Sequence, residues 1–275
     1  MLPSYLLSLR EGIEAALIIG IVLGALRQMR RSDLSRAVWL GVAAASALSV
    51  LAGILLTALG LGLEESAEAL FEGTTMLLAA GVLTWMIFWM SRQARSLKAE
   101  LESGVHRAAF ADGGRGLFVL AFLAVLREGI ELALFLVASV FASTVQATLL
   151  GAFLGLGTAV LLGWSLFATT VRLDLRRFFR VTGFLLILFA AGLVAHGVHE
   201  FNEAGWIPPV VEHVWDLNGL LDEGSLVGSM LKALFGYNGN PSLTEVLAYS
   251  AYFGAVYFGL RVSGRAQVAV AEPRP

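Results

Sequence analysis

Long apolar stretches separated by short polar links make up most of this 275-residue chain. Seven stretches are close to the length of a bilayer-spanning helix, and each is continuously apolar instead of alternating. They are Leu2–Leu26, Ala37–Leu61, Leu70–Met90, Gly116–Ala142, Leu149–Val171, Phe178–Val198 and Leu243–Val262. Barrel strands would be shorter and would alternate in polarity. The pattern therefore predicts an all-α polytopic membrane protein with seven transmembrane helices.

Positive charge lies almost entirely in alternate links. Of the 19 lysines and arginines, all but Arg10, Arg127 and Lys232 follow segments 1, 3, 5 or 7. Because cytoplasmic loops are enriched in Lys and Arg, we expect the N-terminus outside and the C-terminus in the cytoplasm. Acidic residues concentrate on the outer side, around 64–72 and 200–223, where they would attract cations. A solvated acidic loop is an equally good interpretation of most of them.

Composition agrees with a membrane location. Hydrophobic residues make up 57% of the chain, charged residues 15%, and the mean hydropathy is +0.78. The absence of cysteine excludes disulfides and thiolate metal sites. We expect a multi-pass protein of the plasma membrane, which in a bacterium is the inner membrane. The formal net charge of −2 gives no sign of a nucleic-acid partner.

One pentapeptide, Arg-Glu-Gly-Ile-Glu, occurs twice inside these apolar stretches, at Arg10–Glu14 and at Arg127–Glu131. On a helix the two glutamates of each copy share a face, and each arginine can pair with the second glutamate. Three charges at mid-membrane cost on the order of 8–10 kcal/mol, whereas the large apolar residues of segment 1 recover about 3–7 kcal/mol. Segment 1 therefore needs partner helices, a hydrated cavity or a bound cation, and ionisable residues placed there mark a functional site by default.

The two pentapeptides also indicate an internal repeat. They lie 117 positions apart, and small residues relate segments 2 and 5 and segments 3 and 6 with offsets of 110 and 111. Because each repeat has three spans, the second copy must be inverted, as in many transporters. We predict a single transmembrane permease domain, 1–275, with an inverted 3+3 repeat plus one extra helix. Its parts are repeat 1 at about 1–91, repeat 2 at about 115–203, an outer connection at about 204–242 and helix 7 at about 243–263.

Inverted repeats place their site near the midplane, so the two motifs should meet there. The predicted metal ligands are Glu11, Glu14, Glu128 and Glu131, with Arg10 and Arg127 as charge partners. A cage of carboxylate oxygens is hard and suits oxygen-loving ions better than Cu(I). A purely structural charge cluster between helices 1 and 4 is the alternative. Because each motif carries one excess negative charge, a cation site is the favoured interpretation.

The paired motifs, in the first and fourth of seven spans, resemble the RExxE motifs of the oxidase-dependent iron permeases, which include fungal high-affinity iron permeases and bacterial EfeU-type permeases. The resemblance covers nearly the whole chain. It implies that iron, with ferric ion favoured, is the transported substrate and is bound by the motif glutamates during passage. It also implies that an extracellular or periplasmic oxidase or iron-delivery protein supplies the iron. No permanently bound cofactor and no enzymatic activity are expected, and oligomerisation is left open.

Two outer groups are secondary candidates for metal binding. One comprises Glu68 and Glu72 at the start of helix 3, where a solvated helix N-terminus is the alternative. The other is a face of helix 6 with spacing i, i+3, i+4 and i+7, formed by His196, His199, Glu200 and Glu203. A capped, hydrated helix end with His–Glu pairs is the alternative there.

Two further functions compete with iron transport. A proton-coupled transporter of another substrate, or of a divalent metal such as lead, would use the same carboxylates. An intramembrane carboxylate-metal oxidoreductase would also need acids in the membrane. Known di-iron bundles add Glu-x-x-His pairs to their glutamates, and the motifs contain no histidine, which counts against the enzyme.

Overall fold

The structure, a computed structural model, describes residues 1–60, 65–93, 97–111, 113–168 and 174–271. Within these ranges all regular secondary structure is helical, which confirms the all-α prediction. Nine α-helices follow one another: α1 Leu2–Gln28, α2 Ser35–Gly60, α3 Glu65–Gln93, α4 Leu97–Ala111, α5 Gly114–Phe141, α6 Val145–Ala168, α7 Leu175–Glu203, α8 Leu226–Phe235 and α9 Leu243–Ala271. A 3₁₀ turn at Ser32–Leu34 leads into α2.

Seven of these helices, all except α4 and α8, correspond to the predicted apolar segments, and most of them extend a few residues beyond the predicted ends. The predicted ends at Leu61 and Val171 lie outside the described residues. Among the residues described, four helical stretches are long and apolar enough to cross a bilayer: Ser32–Gly60, Ser66–Trp89, Val145–Ser165 and Arg177–Glu203. The chain is therefore a multi-pass membrane protein, and the count of seven spans stays a prediction.

Two helices lie outside the predicted spans. The short α8 lies in the connection between α7 and α9, and Ser225 caps it by accepting a hydrogen bond from the Gly228 N–H, 3.0 Å away. The helix α4 was not predicted, because its segment reads as a charged link. Its apolar residues Val105 and Ala109 are four apart and buried against α1 and α5, so one face of the link is part of the core.

The helices form two compact units, Met1–Leu63 with Met90–Leu186 and Glu64–Trp89 with Ile187–Pro275. In the first unit the packing is crossed: α1 lies along α6, and α2 lies along α5. Close contacts between these helices occur at corresponding positions of the two helix pairs. A Cβ built on Gly41 of α2 would lie 2.6 Å from the Phe118 carbonyl oxygen, and one built on Gly151 of α6 would press on the Met1 carbonyl oxygen. Only glycine permits this approach of backbones.

The second unit contains α3, the C-terminal part of α7, α8 and α9. Close approach again depends on glycine, since a Cβ on Gly73 of α3 would lie 2.8 Å from the Gly197 carbonyl oxygen of α7. The connection between α7 and α9 folds back on itself, with the Leu217 N–H donating to Gly239 O at 2.7 Å. The outer connection is therefore an ordered structure and not a linker.

Candidate metal-binding site

Three glutamates from the two pentapeptides converge inside the first unit. One ligand oxygen each of Glu11 on α1 and of Glu128 and Glu131 on α5 lies within 4.8 Å of the other two. These residues are 1%, 7% and 9% exposed, respectively. Among the described residues this is the one set of three acidic or histidine side chains that close together. The structure therefore brings together the motifs that the sequence paired.

Glu14, the fourth predicted ligand, lies outside this group. Its Oε1 is 3.1 Å from Arg10 Nε in the pair predicted from the spacing of four. The side chains of Arg10 and Glu14 are 2% and 8% exposed, so the pair is enclosed by protein. Breaking such a buried pair is costly, because both groups are held away from water. Glu14 as a metal ligand stays a prediction.

The second motif forms the matching pair in a different environment. Arg127 Nε lies 3.1 Å from Glu131 Oε1 and donates a hydrogen bond to it, and it lies 4.0 Å from Glu128 Oε1. The Arg127 side chain is 38% exposed. The arginines of the two identical pentapeptides therefore differ in exposure: Arg10 is enclosed by protein and Arg127 is partly exposed.

Close helix packing is what buries the carboxylates. A Cβ built on Gly12 would lie 2.6 Å from Ala159 Cβ on α6, and one built on Gly129 would collide with the Ser49 side chain on α2. Ser49 and Ala159 are separated by 110 positions, the offset between the second and fifth predicted segments. The motif glycine therefore has one role in both copies, which is to admit a small residue of the crossed partner helix. Neither Ser49 nor Ala159 was identified from the sequence.

The carboxylate group has oxygens available for a ligand. Both oxygens of Glu11, and Oε2 of Glu131, are buried without a hydrogen-bond partner in the part of the chain that the structure describes. Buried carboxylate oxygens in native proteins are satisfied by hydrogen bonds, cations or water. Three acids so close also repel one another, and a cation between them removes both costs. The donor set is all oxygen, which suits a hard ion.

The C-terminal end of α7 carries the predicted histidine and glutamate face. His199 lies between two carboxylates, with Nδ1 3.1 Å from Glu245 Oε1 and Nε2 3.3 Å from Glu203 Oε1. His196 Nδ1 lies 3.1 Å from the backbone oxygen of Gly192. Among the described residues of this unit, no three ligand atoms approach as closely as in the motif group. These side chains as metal ligands therefore stay a prediction.

Glu68 and Glu72 lie on α3 in the same unit. Glu68, Glu200 and Glu203 are the acidic neighbours of Glu72. The structure thus gathers the two predicted secondary groups, from α3 and α7, into one acidic region. The shared location supports interpreting them together and not as separate candidates.

Glu245 was not singled out from the sequence as a site residue, yet it is 4% exposed and connects several elements. Its Oε1 accepts from the Ser242 N–H at 3.1 Å, and its Oε2 accepts from Asn238 at 2.8 Å. The Glu245 N–H in turn donates to Ser242 Oγ at 3.3 Å, so Ser242 and Glu245 form a capping box for α9. The Ser-x-x-Glu spacing is the signal that identifies this role in the sequence.

Comparison with known proteins gives one consistent result. Residues 1–269 match the iron permease FTR1 family. The chain is 36% identical over 254 residues to the ferrous iron permease EfeU of Escherichia coli O6:K15:H31, a match that covers 92% of each chain. It is 34% identical over 278 residues to the ferrous iron permease EfeU of Yersinia pestis, covering all of this chain and 99% of that protein. No solved structure matches the chain.

Proposed function

Because the chain belongs to the iron permease FTR1 family, we propose that it carries iron across the plasma membrane into the cytoplasm. The observation that carries the proposal is the buried group of Glu11, Glu128 and Glu131, whose ligand atoms lie within 4.8 Å of one another. A transport site must hold an ion long enough to select it and loosely enough to release it. Three carboxylates beside an arginine meet both needs, since the arginine weakens the hold on the ion.

The ligand chemistry supports iron and leaves two valences to compare. An oxygen-only site accepts ferric ion well, and the sequence resemblance favours it. The EfeU relatives of Escherichia coli and Yersinia pestis are named ferrous iron permeases. Uptake of radioactive iron into proteoliposomes, with and without ascorbate, separates the two. Uptake that requires the reductant assigns ferrous ion, and uptake that the reductant abolishes assigns ferric ion.

The path proposed for the ion begins at the acidic outer region. Glu68, Glu72 and the α7 face with His196, His199, Glu200 and Glu203 would collect cations near the membrane surface. The ion would then bind between the motif glutamates and leave toward the cytoplasm when the repeats move. A separate oxidase or iron-delivery protein outside the membrane is the proposed source of iron.

The proposed topology has seven spans, an inverted 3+3 repeat, an outer N-terminus and a cytoplasmic C-terminus. The crossed packing supports it, since α1 lies along α6 as α5 lies along α2. A two-fold relation between the repeats explains this pattern. Such a relation exchanges α1 with α5 and α6 with α2, so the packing of α1 on α6 is repeated as the packing of α5 on α2. The matched contacts of Gly41 with Phe118 and of Gly151 with Met1 support the same relation, since those partners are 117 positions apart.

Proteoliposome uptake also tests the function itself. Purified wild-type protein should accumulate radioactive iron, and Glu11→Gln or Glu128→Gln should reduce the initial rate by at least about tenfold, the equivalent of 1.4 kcal/mol. Glu212→Gln, an exposed acid in the outer connection, is the matched control and should retain the wild-type rate. Proton flux without metal uptake would instead favour a proton-coupled transporter. Iron oxidation without uptake would favour an oxidoreductase.

A further inference from the structure

The two arginines of the repeated pentapeptide are placed differently around the carboxylate group. Arg10 is 2% exposed and pairs with Glu14, which lies outside the group. Arg127 is 38% exposed and pairs with Glu131, which belongs to the group. The first pair has no net charge and lies beside the site, where Arg10 also acts electrostatically on Glu11 and Glu128, and the second pair is part of the site.

Because Arg10 and Glu14 cancel, the remaining residues set the net charge that a bound ion meets. Glu11, Glu128 and Glu131 supply three negative charges when ionised, and Arg127 returns one positive charge at 3.1 Å from Glu131 and 4.0 Å from Glu128. The site has a net charge of −2 with Arg127 in place and of −3 once Arg127 has moved away. A divalent cation neutralises the first arrangement, and a trivalent cation neutralises the second. In a membrane interior an unbalanced charge is costly. The site should therefore prefer the ion whose charge cancels its own.

We propose that Arg127 sets the valence preference of the site: held against Glu131 it makes a divalent site, and released it makes a trivalent one. This inference rests on the proposed function, because it assumes that the three glutamates bind the transported metal. The structure shows the first arrangement. Arg127 is a positioning residue here, since it acts on the ion through Glu131 and does not touch it.

Exposure explains why this role falls to Arg127. The Arg127 side chain is 38% exposed and therefore has room to move, whereas packed protein encloses Arg10 at 2%. The Glu131 Oε2 atom is buried and has no hydrogen-bond partner among the described residues, so this carboxylate can bind an ion through Oε2 while Oε1 keeps Arg127. Glu131 can therefore bridge the arginine and a divalent ion.

Coulomb's law gives the size of the effect. With an effective dielectric constant of about 20 and an ion–arginine separation of about 6 Å, each unit of ion charge repels Arg127 enough to change affinity on the order of 100-fold. A trivalent ion carries one more unit than a divalent ion. Removal of the positive charge at Arg127 should therefore raise trivalent binding relative to divalent binding by about 100-fold.

Equilibrium binding of two redox-inert probes to purified protein tests the proposal. Mn²⁺ is followed by electron paramagnetic resonance and Tb³⁺ by luminescence, and the ratio of the two dissociation constants is compared among variants. Arg127→Gln should shift the ratio toward Tb³⁺ by about 100-fold. Arg127→Lys, which keeps the charge, should stay near the wild-type ratio. Arg115→Gln, at an exposed position on the same helix, is the control for overall charge and should leave the ratio unchanged.

A second measurement uses the wild-type protein and therefore does not depend on whether a variant folds. Modification of arginines by phenylglyoxal, followed by mass spectrometry, should be faster at Arg127 with Tb³⁺ bound than with Mn²⁺ bound. Equal modification, or an unchanged binding ratio in Arg127→Gln, overturns the proposal while leaving the glutamate site intact. Failure of the wild-type protein to bind either probe would instead remove the proposed metal site itself, and the proposal with it.

Discussion

Gly129 on α5 lies so close to Ser49 on α2 that no side chain fits between them. The corresponding contact has the same character, since a Cβ built on Gly12 would lie 2.6 Å from Ala159 Cβ. These two contacts seat the motif helices α5 and α1 against α2 and α6, one residue away from Glu128 and Glu11. A change in packing at the glycines should therefore also affect the neighbouring glutamates, and this link can be tested by substitution.

The first prediction concerns that link. Gly12→Ala places a methyl group 2.6 Å from Ala159 Cβ, so we expect overpacking to destabilise the protein by about 1–3 kcal/mol and to reduce iron uptake. Ala159→Gly in the same chain should restore most of the loss. Thermal unfolding in detergent measures both variants. Gly24→Ala on the same helix, where nothing lies within 4 Å, is the control and should not destabilise. Equal destabilisation by both alanines would refute the packing explanation.

The second prediction separates the last glutamates of the two motifs. Glu14→Gln leaves Arg10 buried opposite a neutral amide, so we expect a loss of stability of about 3–5 kcal/mol. Glu131→Gln removes a member of the carboxylate group while its arginine stays partly exposed, so we expect a smaller loss of stability and a larger loss of metal affinity. Thermal unfolding and Mn²⁺ binding measure the two quantities. Identical profiles for both variants would show that the motifs are equivalent.

The third prediction concerns topology. The chain has no cysteine, so single cysteines can be introduced without background. We expect Leu220→Cys, at a position that is 89% exposed in the outer connection, to react with a membrane-impermeant maleimide in intact cells. Ser32→Cys, in the exposed turn between α1 and α2, should react only after the membrane is permeabilised. The opposite labelling pattern would invert the proposed orientation.

The fourth prediction concerns acid and the outer connection. Burial raises the pKa of Glu223, but hydrogen bonds from Lys232 and from the Gly239 N–H outweigh it and hold the pKa below its ordinary value. A carboxylate with a lowered folded pKa stabilises the fold above its unfolded pKa and loses that contribution as pH falls through the folded value. We expect the protection of the Gly239 amide against hydrogen exchange, corrected for intrinsic rates, to fall in acid. In Glu223→Gln the protection should be lower and independent of pH; persistent acid sensitivity there would assign the effect to another group.

Much of the fold could be predicted because the bilayer demands long, continuous apolar helices, and such stretches are plain in the sequence. The helix α4 could not be found by counting charges, because Lys98, Glu100 and Glu102 give its segment the composition of a polar link. Only the spacing of Val105 and Ala109 marks its buried face. The composition of a segment predicts whether it is polar overall, whereas the spacing of its apolar residues predicts which face of a helix is buried.

The candidate site was predictable in its residues but not in its asymmetry. Identical pentapeptides carry identical local preferences, so no property of Arg10 or Arg127 distinguishes them along the chain. Their exposures of 2% and 38% arise from the helices that surround each copy. Likewise, the hydrogen bonds that hold Glu245 depend on Asn238 and His199, which reach it only in the folded protein. Tertiary surroundings therefore decide which of several equivalent acids joins the buried carboxylate group.

The crossed packing of α1 on α6 and of α2 on α5 has a consequence for biosynthesis. During translation α1 is synthesised more than a hundred residues before α6, its main partner. The three charged residues of its motif are therefore made before the helix that encloses them. An arrangement in which each half completes the other is also what a domain-swapped homodimer leaves behind when its two chains become one. Because the repeats are proposed to be inverted, either half expressed alone would rebuild this enclosure only from two copies inserted in opposite orientations.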